Sequence, residues 1–161
     1  MNISRTLGYA LEATLQLAKL EGQGPIPCRL LAGTGGMPRR FLLQILRILV
    51  DRGVVRSTRG VIGGYTLTRA ADKISLLELV EAIYGPIVGD ISSPDVPTYA
   101  RTSLQSICNE IATATRSKLA SVSLAQLLAS APTTVVPQGI PEPILLTFVP
   151  PIAGSQVILQ Q

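Results

Sequence analysis

The sequence predicts a mainly α-helical protein with a small antiparallel β-hairpin, an α+β fold. Apolar residues recur at helical spacing over four segments, whereas an alternating, strand-type pattern occurs only between residues 54 and 68. Segments rich in glycine or proline separate these patterns. With 161 residues, 47% of them hydrophobic, the chain is long enough for one packed domain and an appended element.

Three helices are predicted in the N-terminal third. Residues 4–20 carry apolar side chains at i, i+3 and i+4 spacing, and residues 27–32 form a short second helix whose first turn accommodates a proline. A glycine-rich turn at residues 33–36 leads into a third helix over residues 38–51. This third helix is amphipathic, with apolar residues on one face and basic or amide side chains on the other.

A β-hairpin and a fourth helix follow. Residues 54–58 and 65–68 alternate as strands do, and the glycine-rich segment between them supplies the turn. Ser75 and Glu78 then stand three positions apart ahead of an apolar run. This is the spacing of a capping box, and it predicts a helix over residues 76–84.

The C-terminal half is expected to contain two more helices and a tail. Residues 86–98 include three prolines and form an irregular connector. Residues 101–120 form a long amphipathic helix, and residues 124–128 form a short one. The tail beyond them holds six prolines and a single charged side chain, and we expect extended segments that lie against protein surface.

Helix, short helix, glycine turn, helix and hairpin follow one another in the order of a winged helix-turn-helix. In that fold the second helix of the pair enters the DNA major groove. We therefore predict a DNA-binding domain over residues 1–86, a connector and long dimerisation helix over residues 87–129, and a Pro-rich apolar tail over residues 130–161.

Side chains of the third helix and the hairpin are candidates for contact with DNA. Guanidinium and amide groups suit phosphates and base edges, and an arginine at a hairpin tip suits the negative potential of a narrow minor groove. The candidates are Arg39, Arg40, Gln44, Arg47 and Arg59, with Arg40 and Gln44 foremost. Two alternatives stay open, because any surface helix exposes similar residues and the hairpin glycines also suit a plain turn.

The charge distribution favours a polyanionic partner for the N-terminal half. Residues 1–75 carry eleven Lys or Arg and four Asp or Glu, whereas residues 76–161 carry three basic and six acidic residues. Such asymmetry is expected when one part faces nucleic acid and the other faces protein. Ordinary solvated charge is the alternative explanation.

Several ordered segments are specific enough to suggest a family. They are Tyr9-Ala10-Leu11 with Leu17-Ala18, MPRRFLLQILRILVDRGVVRSTRG at 37–60, GGYTLTR at 63–69 and ISLLELVEAIYGP at 74–86. They resemble the bacterial Rrf-two (Rrf2) family of winged-helix transcription regulators, the family of IscR, NsrR and CymR. The resemblance covers residues 4–86, is weaker over residues 117–128, and does not include the tail.

This resemblance implies a homodimer whose two recognition helices read a palindromic operator while each wing reaches a neighbouring minor groove. Repression is the expected effect on transcription, and activation stays open as the alternative. By position it marks Arg59 and Tyr65 in the wing, and the stretch from Pro38 to Gln44 as the reading end of the third helix. Leu43 stands where many members have an acidic residue that helps to select the operator, so their operator sequences do not transfer to this chain.

Dimerisation is predicted to involve the long C-terminal helix. Its apolar stripe has spacings of three and four residues, which suits a helix–helix interface between two chains and equally a helix packed within its own chain. The residues of the stripe are Leu104, Ile107, Cys108, Ile111, Thr115 and Leu119.

Cysteine usage argues against a metal centre. Many family members hold an iron–sulfur cluster through three clustered cysteines, whereas this chain has only Cys28 and Cys108, and no histidine. A cluster needs four thiolates, or thiolates with imidazole, so we expect no cluster, no other metal and no cofactor. Both cysteines are expected to be buried small residues, and a redox role for Cys108 is the alternative.

The expected partner is double-stranded DNA, and an enzyme is not expected. The chain has no histidine, no paired-carboxylate motif and no nucleophile elbow. A cytoplasmic location without a membrane segment is expected. A small-molecule effector bound between the winged domain and the dimer helix is compatible with this function. The alternative is a winged-helix protein-interaction module with weak DNA specificity, suggested by Leu43 and the apolar tail.

Overall fold

The computed structural model of the chain describes residues 4–91 and 97–130. The segment 92–96 of the connector lies outside the described residues. So does the sequence from 131 onward, on which the expectation of extended tail segments falls.

The described residues form a mainly helical fold with one antiparallel hairpin, as the sequence predicts. A 3-10 turn, Ala71–Lys73, was not predicted. The long helix begins earlier than expected because Pro97 acts as its N-cap. The elements are α1 (Arg5–Lys19), α2 (Cys28–Thr34), α3 (Arg39–Asp51), β1 (Val55–Thr58), β2 (Gly64–Leu67), α4 (Leu76–Tyr84), α5 (Thr98–Ala120) and α6 (Leu124–Ala129).

The core lies where the apolar faces of α1, α3 and α4 meet, with α2, the hairpin and α6 closing its sides. Burial of one such side chain contributes about 1.5–3 kcal/mol relative to its exposure. Thr14 is also fully buried, and its Oγ1 donates to the carbonyl of Ala10 at 2.9 Å, so its hydroxyl is satisfied within α1. The large side chains that are fully buried include Leu31, Leu42, Ile45, Leu46, Leu49, Ile74, Leu79 and Leu124.

The hairpin is hydrogen-bonded directly to the segment that precedes α2. Its strands are antiparallel, with Val55 opposite Leu67 and Thr58 opposite Gly64. On the other edge of β2, Tyr65 exchanges two backbone hydrogen bonds of 2.9 Å with Ile26, just before α2. A Cβ at Gly64 would lie 2.5 Å from the Ile26 backbone, so only glycine permits this approach. The wing is therefore fixed to the segment that leads into α2.

Capping boxes start α4 and α6. The Ser75 Oγ accepts from the Glu78 amide at 3.3 Å, while the Glu78 carboxylate accepts from the Ser75 amide at 3.0 Å, as the spacing predicts. Ser123 and Gln126 repeat the arrangement in α6. The amide of Leu124 donates to the carbonyl of Ile74 at 3.0 Å, which joins the two helix starts. After α5, the chain thus returns to the helical core, where α6 packs against α1.

Helix α5 is attached mainly through α4. An ion pair joins Arg116 to Glu81 of α4, and Gln105 Nε2 donates to the carbonyl of Gly89 in the connector. Ala112 is the single buried residue of this helix. Among residues 4–91 and 97–130, no helix combines the length and the hydrophobicity that crossing a bilayer would take.

Candidate nucleic-acid interface

Helix α3 presents a polar face because its apolar residues point into the core. Gly36 adopts a positive φ of 58° in the turn before it, and Pro38 caps its N-terminus. The buried face consists of Leu42, Ile45, Leu46 and Leu49. The exposed residues include the whole predicted reading set: Pro38, Arg39, Arg40, Leu43, Gln44 and Arg47.

Within residues 4–91 and 97–130, no carboxylate forms a salt bridge with the arginines of this face. Within the described part of the chain, the salt bridges join Arg69 to Glu78, Lys73 to Asp72 and Arg116 to Glu81. None of these involves an arginine of α3 or of the hairpin. The exposed guanidinium groups of α3 therefore create a positive local potential that attracts an anion.

The N-terminal end of α3 and the wing share one concavity of about 370 Å³. Three exposed arginines line it, one from each element: Arg29 of α2, Arg39 of α3 and Arg59 of the wing. Sequence reasoning did not single out Arg29. Its position in the second residue of α2 carries no distinctive signal, because only the fold brings α2, α3 and the hairpin together.

Cys28 and Tyr65 also line this concavity, and both stay neutral at ordinary pH. Burial raises the pKa of the Cys28 thiol, and the adjacent Arg39 guanidinium offsets part of that rise. Burial likewise raises the pKa of the Tyr65 phenol, and the neighbouring Cys28 adds to it. The arginines are therefore the charged groups of the concavity.

The wing projects from this surface on a tight turn. The amide of Gly63 donates to the carbonyl of Gly60 at 3.0 Å, and Gly60 has a φ of 119°. A Cβ at Gly63 would lie 2.5 Å from the carbonyl oxygen of Thr58, so the turn needs glycine there. Arg59 is exposed beside the tip, whereas Tyr65 is half-buried against the core at the base.

Helix α5 carries the predicted apolar stripe, and much of it faces outward. Leu104, Ile107 and Ile111 are 40%, 51% and 60% exposed, respectively. Leu119 differs from them, because it is partly buried and packs against the chain's own core. Thr115 is partly buried as well. The exposed part of the stripe thus lies in the first two thirds of α5.

The prediction for the cysteines is confirmed for one thiol and wrong for the other. Cys28 is buried in α2, as expected. Cys108 is only partly buried. Near its C-terminal end α5 is joined to α4 by the Arg116–Glu81 ion pair, whereas at Cys108 the neighbouring backbone is that of Gly89 in the connector.

The available donors do not fit an iron–sulfur cluster. Cys28 and Cys108 lie on separate helices, α2 and α5, and the sequence supplies no imidazole. Across residues 4–91 and 97–130 no group of three or more Cys, Asp or Glu side chains is placed to hold a metal ion. A cluster with four protein ligands has no matching donor set in this part of the fold.

A second concavity of about 430 Å³ lies between the end of α1, the following loop and β2. Leu17, Leu20, Ile26 and Leu67 form its apolar part, and Arg69 lies at its margin. Its lining includes no residue of α5. This concavity is therefore separate from the position between the winged domain and the dimer helix that was expected for an effector.

Comparisons with known proteins agree with this geometry. The family model described as "Rrf2: Iron-dependent Transcriptional regulator" matches residues 3–130. The HTH-type transcriptional regulator CymR of Bacillus subtilis is 34% identical over 87 residues, which is 54% of this chain and 63%, just under two thirds, of CymR. A Mycobacterium tuberculosis protein named as an HTH-type transcriptional regulator is 34% identical over 134 residues, 81% of this chain and 83% of that protein.

A solved structure extends the similarity to the three-dimensional fold. The structure of CymR, the global cysteine regulator of B. subtilis, superposes with a TM-score of 0.67 at 27% sequence identity. It covers 82% of this chain and 99% of the CymR chain. The relatives are transcription regulators rather than enzymes, in agreement with the expectation from the sequence.

Proposed function

The chain belongs to the Rrf2 family of transcriptional regulators and is a DNA-binding regulator, and from this premise we propose that it represses transcription as a homodimer on a palindromic operator. The observation that carries the proposal is the exposed row of Arg40, Gln44 and Arg47 on α3, beside the concavity that Arg29, Arg39 and Arg59 line. A bound dimer would exclude the transcription machinery from the DNA it covers.

Base reading is assigned to α3. Arg40, Gln44 and Arg47 stand at i, i+4 and i+7, so they lie along one face of the helix. An arginine fork matches the O6 and N7 acceptors of guanine, and a glutamine amide matches the N6 and N7 pair of adenine. Leu43, 40% exposed beside them, suits apolar contact with a thymine methyl group.

Phosphate contacts are assigned to the concavity between α2, α3 and the wing. Arg29, Arg39 and Arg59 converge there from three elements. Contacts of this kind fix the register of a protein on the duplex and carry little sequence information. They position α3, so that its side chains meet base edges.

Dimerisation is assigned to the exposed stripe of α5. Leu104, Ile107 and Ile111 place large apolar surface in water in the single chain, and packing two copies of α5 together would bury it. A twofold dimer presents two copies of α3 in opposite orientation, and the matching DNA is an inverted repeat. Cys108 lies on the same stripe and is partly buried already in one chain.

We propose that this regulator senses its signal without an iron–sulfur cluster, since the cysteines of the described fold do not fit one. A small-molecule effector is an alternative input. The concavity of about 430 Å³ beside β2 falls within the range of about 300–1,000 Å³ typical of ligand pockets. An effector bound there would contact β2 and so act on the wing.

Gel-shift titration with the DNA upstream of the protein's own gene tests the function. Arg40→Ala is expected to weaken specific binding by about 1–3 kcal/mol, because it removes a base contact. Lys118→Ala removes the same charge from the exposed surface of α5 and serves as the matched control. If wild type and both variants bound all DNA sequences with equal affinity, the protein-interaction module would be favoured. If wild type bound no DNA at low salt, the DNA-binding regulator would be excluded.

A further inference from the structure

The tip of the wing carries two large apolar side chains that are almost fully exposed. Val61 is 107% exposed and Ile62 is 85% exposed. Among the other large hydrophobic residues described, only Tyr99 of α5 is comparably exposed, at 89%. Val61 and Ile62 occupy the two central positions of the turn closed by the Gly63 amide and the Gly60 carbonyl. Burial against the described residues therefore does not explain their presence.

Local turn chemistry does not explain them either. Turn positions are usually filled by Gly, Pro, Asn, Asp or Ser, and β-branched residues prefer strands. Val61 and Ile62 have negative φ angles, so the turn would accept small polar residues equally well. Residues that depart from the usual preferences of a turn without stabilising the fold indicate a function.

The geometry of the tip is defined by its turn and by its attachment to the rest of the fold. Gly63 fits so tightly against the Thr58 and Gly60 carbonyls that a Cβ would clash with both, at 2.5 and 2.8 Å. At the base, the two Tyr65–Ile26 hydrogen bonds fix the hairpin to the helix pair. Val61 and Ile62 are thus presented in a defined direction relative to α3.

The surroundings of the tip select DNA as the partner. Arg59 precedes the tip, and the segment from Thr58 to Tyr65 contains no acidic residue. Arg59 also lines the concavity shared with the N-terminal end of α3, so the wing and the reading helix face the same side. Two side chains are far smaller than the patches of a few hundred Å² that mark protein-docking surfaces. They match what a single DNA base step accommodates, since architectural proteins insert such apolar wedges from the minor groove.

We propose that Val61 and Ile62 form an apolar wedge that enters the minor groove beside the site read by α3, partly unstacks one base step and bends the operator. The proposal rests on the DNA-binding function proposed above and adds a second means of sequence selection. Pyrimidine–purine steps unstack most easily, so the wedge would favour a TA or CA step at a position that α3 does not touch.

The test compares wild type with the double variant Val61→Ser/Ile62→Ser on operator DNA, measuring affinity and the bend by end-to-end fluorescence energy transfer. Both side chains are exposed, so the serine variant should fold with an unchanged melting temperature. We expect a bend of roughly 20–90° with wild type. The serine variant should bind about tenfold more weakly, with a reduced bend, because it loses the burial of two apolar side chains.

The double variant Val61→Leu/Ile62→Leu is the matched control, and it should keep the bend because the tip remains apolar. Replacing the flexible base step by a G·C-rich one should weaken DNA binding by wild type and leave binding by the serine variant unaffected.

Equal bends for wild type and the serine variant, with both still bound, would overturn the wedge and leave the DNA-binding function intact. Failure of wild type to bind any DNA would instead overturn the function itself. Sedimentation of wild type, but not the serine variant, with phosphatidylglycerol vesicles, without any effect on the bend, would assign the tip to a lipid surface and also overturn the wedge.

Discussion

Individual side chains of α3 divide into two functional groups that follow from their burial. Leu46 is fully buried, whereas Leu43, three positions earlier, is 40% exposed. The same chemical group therefore supports folding at one position and is available to a partner at the other. A pair of identical substitutions separates these roles.

Leu46→Ala is expected to lower the free energy of unfolding by about 2–5 kcal/mol, because it leaves a cavity in the core. Leu43→Ala is expected to change it by less than about 0.5 kcal/mol, since that side chain is at the surface. Urea denaturation followed by circular dichroism measures both. Leu43→Ala should still weaken operator binding, and comparable destabilisation by the two substitutions would contradict the assigned faces of α3.

A single carboxylate makes the stability of α4 depend on pH. Burial of Glu78 raises its pKa, but hydrogen bonds from Ser75 and the charge of Arg69 outweigh this and hold the pKa below its ordinary value of 4.5. The folded state thus binds this proton less readily than the unfolded state. The associated stability is present above pH 4.5 and is lost as pH falls through the lower, folded-state pKa.

Glu78→Gln should therefore be less stable than wild type at about pH 7, and the difference should shrink at an acid pH well below 4.5, as the carboxylate of wild type takes up its proton. Glutamine retains a side-chain oxygen that can accept the capping hydrogen bond from the Ser75 amide. The comparison of the variant with wild type therefore isolates the charge of Glu78. Denaturant titrations at the two pH values make the measurement. A difference that grows toward acid pH would contradict the sign of the shift.

Among the elements, α4 provides a direct test of capping. Ser75→Ala removes the hydroxyl that accepts from the Glu78 amide, and we expect a loss of about 0.5–2 kcal/mol in unfolding free energy. Ser117→Ala, on the exposed surface of α5, is the control for a serine outside any cap and should be close to neutral. Equal effects of the two substitutions in thermal melts would show that the cap contributes little.

Elements with a strong local pattern could be predicted from the sequence, and those set by distant contacts could not. The amphipathic stripe of α3 and the Ser75–Glu78 spacing each identify a helix, and the structure confirms both. The bridge between Ile26 and Tyr65 joins residues far apart in the chain and leaves no local pattern. For the same reason, the convergence of Arg29 with the wing arginine was not foreseen.

At the scale of the whole molecule, the exposed stripe of α5 predicts the state of assembly. Ile111→Asp places a charge among Leu104 and Ile107, and burying that charge in a helix–helix interface would be costly. We expect the variant to sediment as a monomer and to bind the operator much more weakly, since it loses the second half-site contact. Thr113→Asp, an equally charged change at another exposed position of α5, should leave the dimer intact. A dimeric Ile111→Asp protein would contradict the assignment.

The central claim is that this chain reads DNA sequence as a twofold dimer. Selection from a pool of random double-stranded DNA by the purified protein, followed by counting of the chains bound per selected duplex, tests it most directly. The expected result is an inverted repeat with half-site centres about 10 base pairs, or a multiple of one helical turn, apart, bound by two chains. Selected DNA without any enriched sequence, or no retained DNA at low salt, would contradict it.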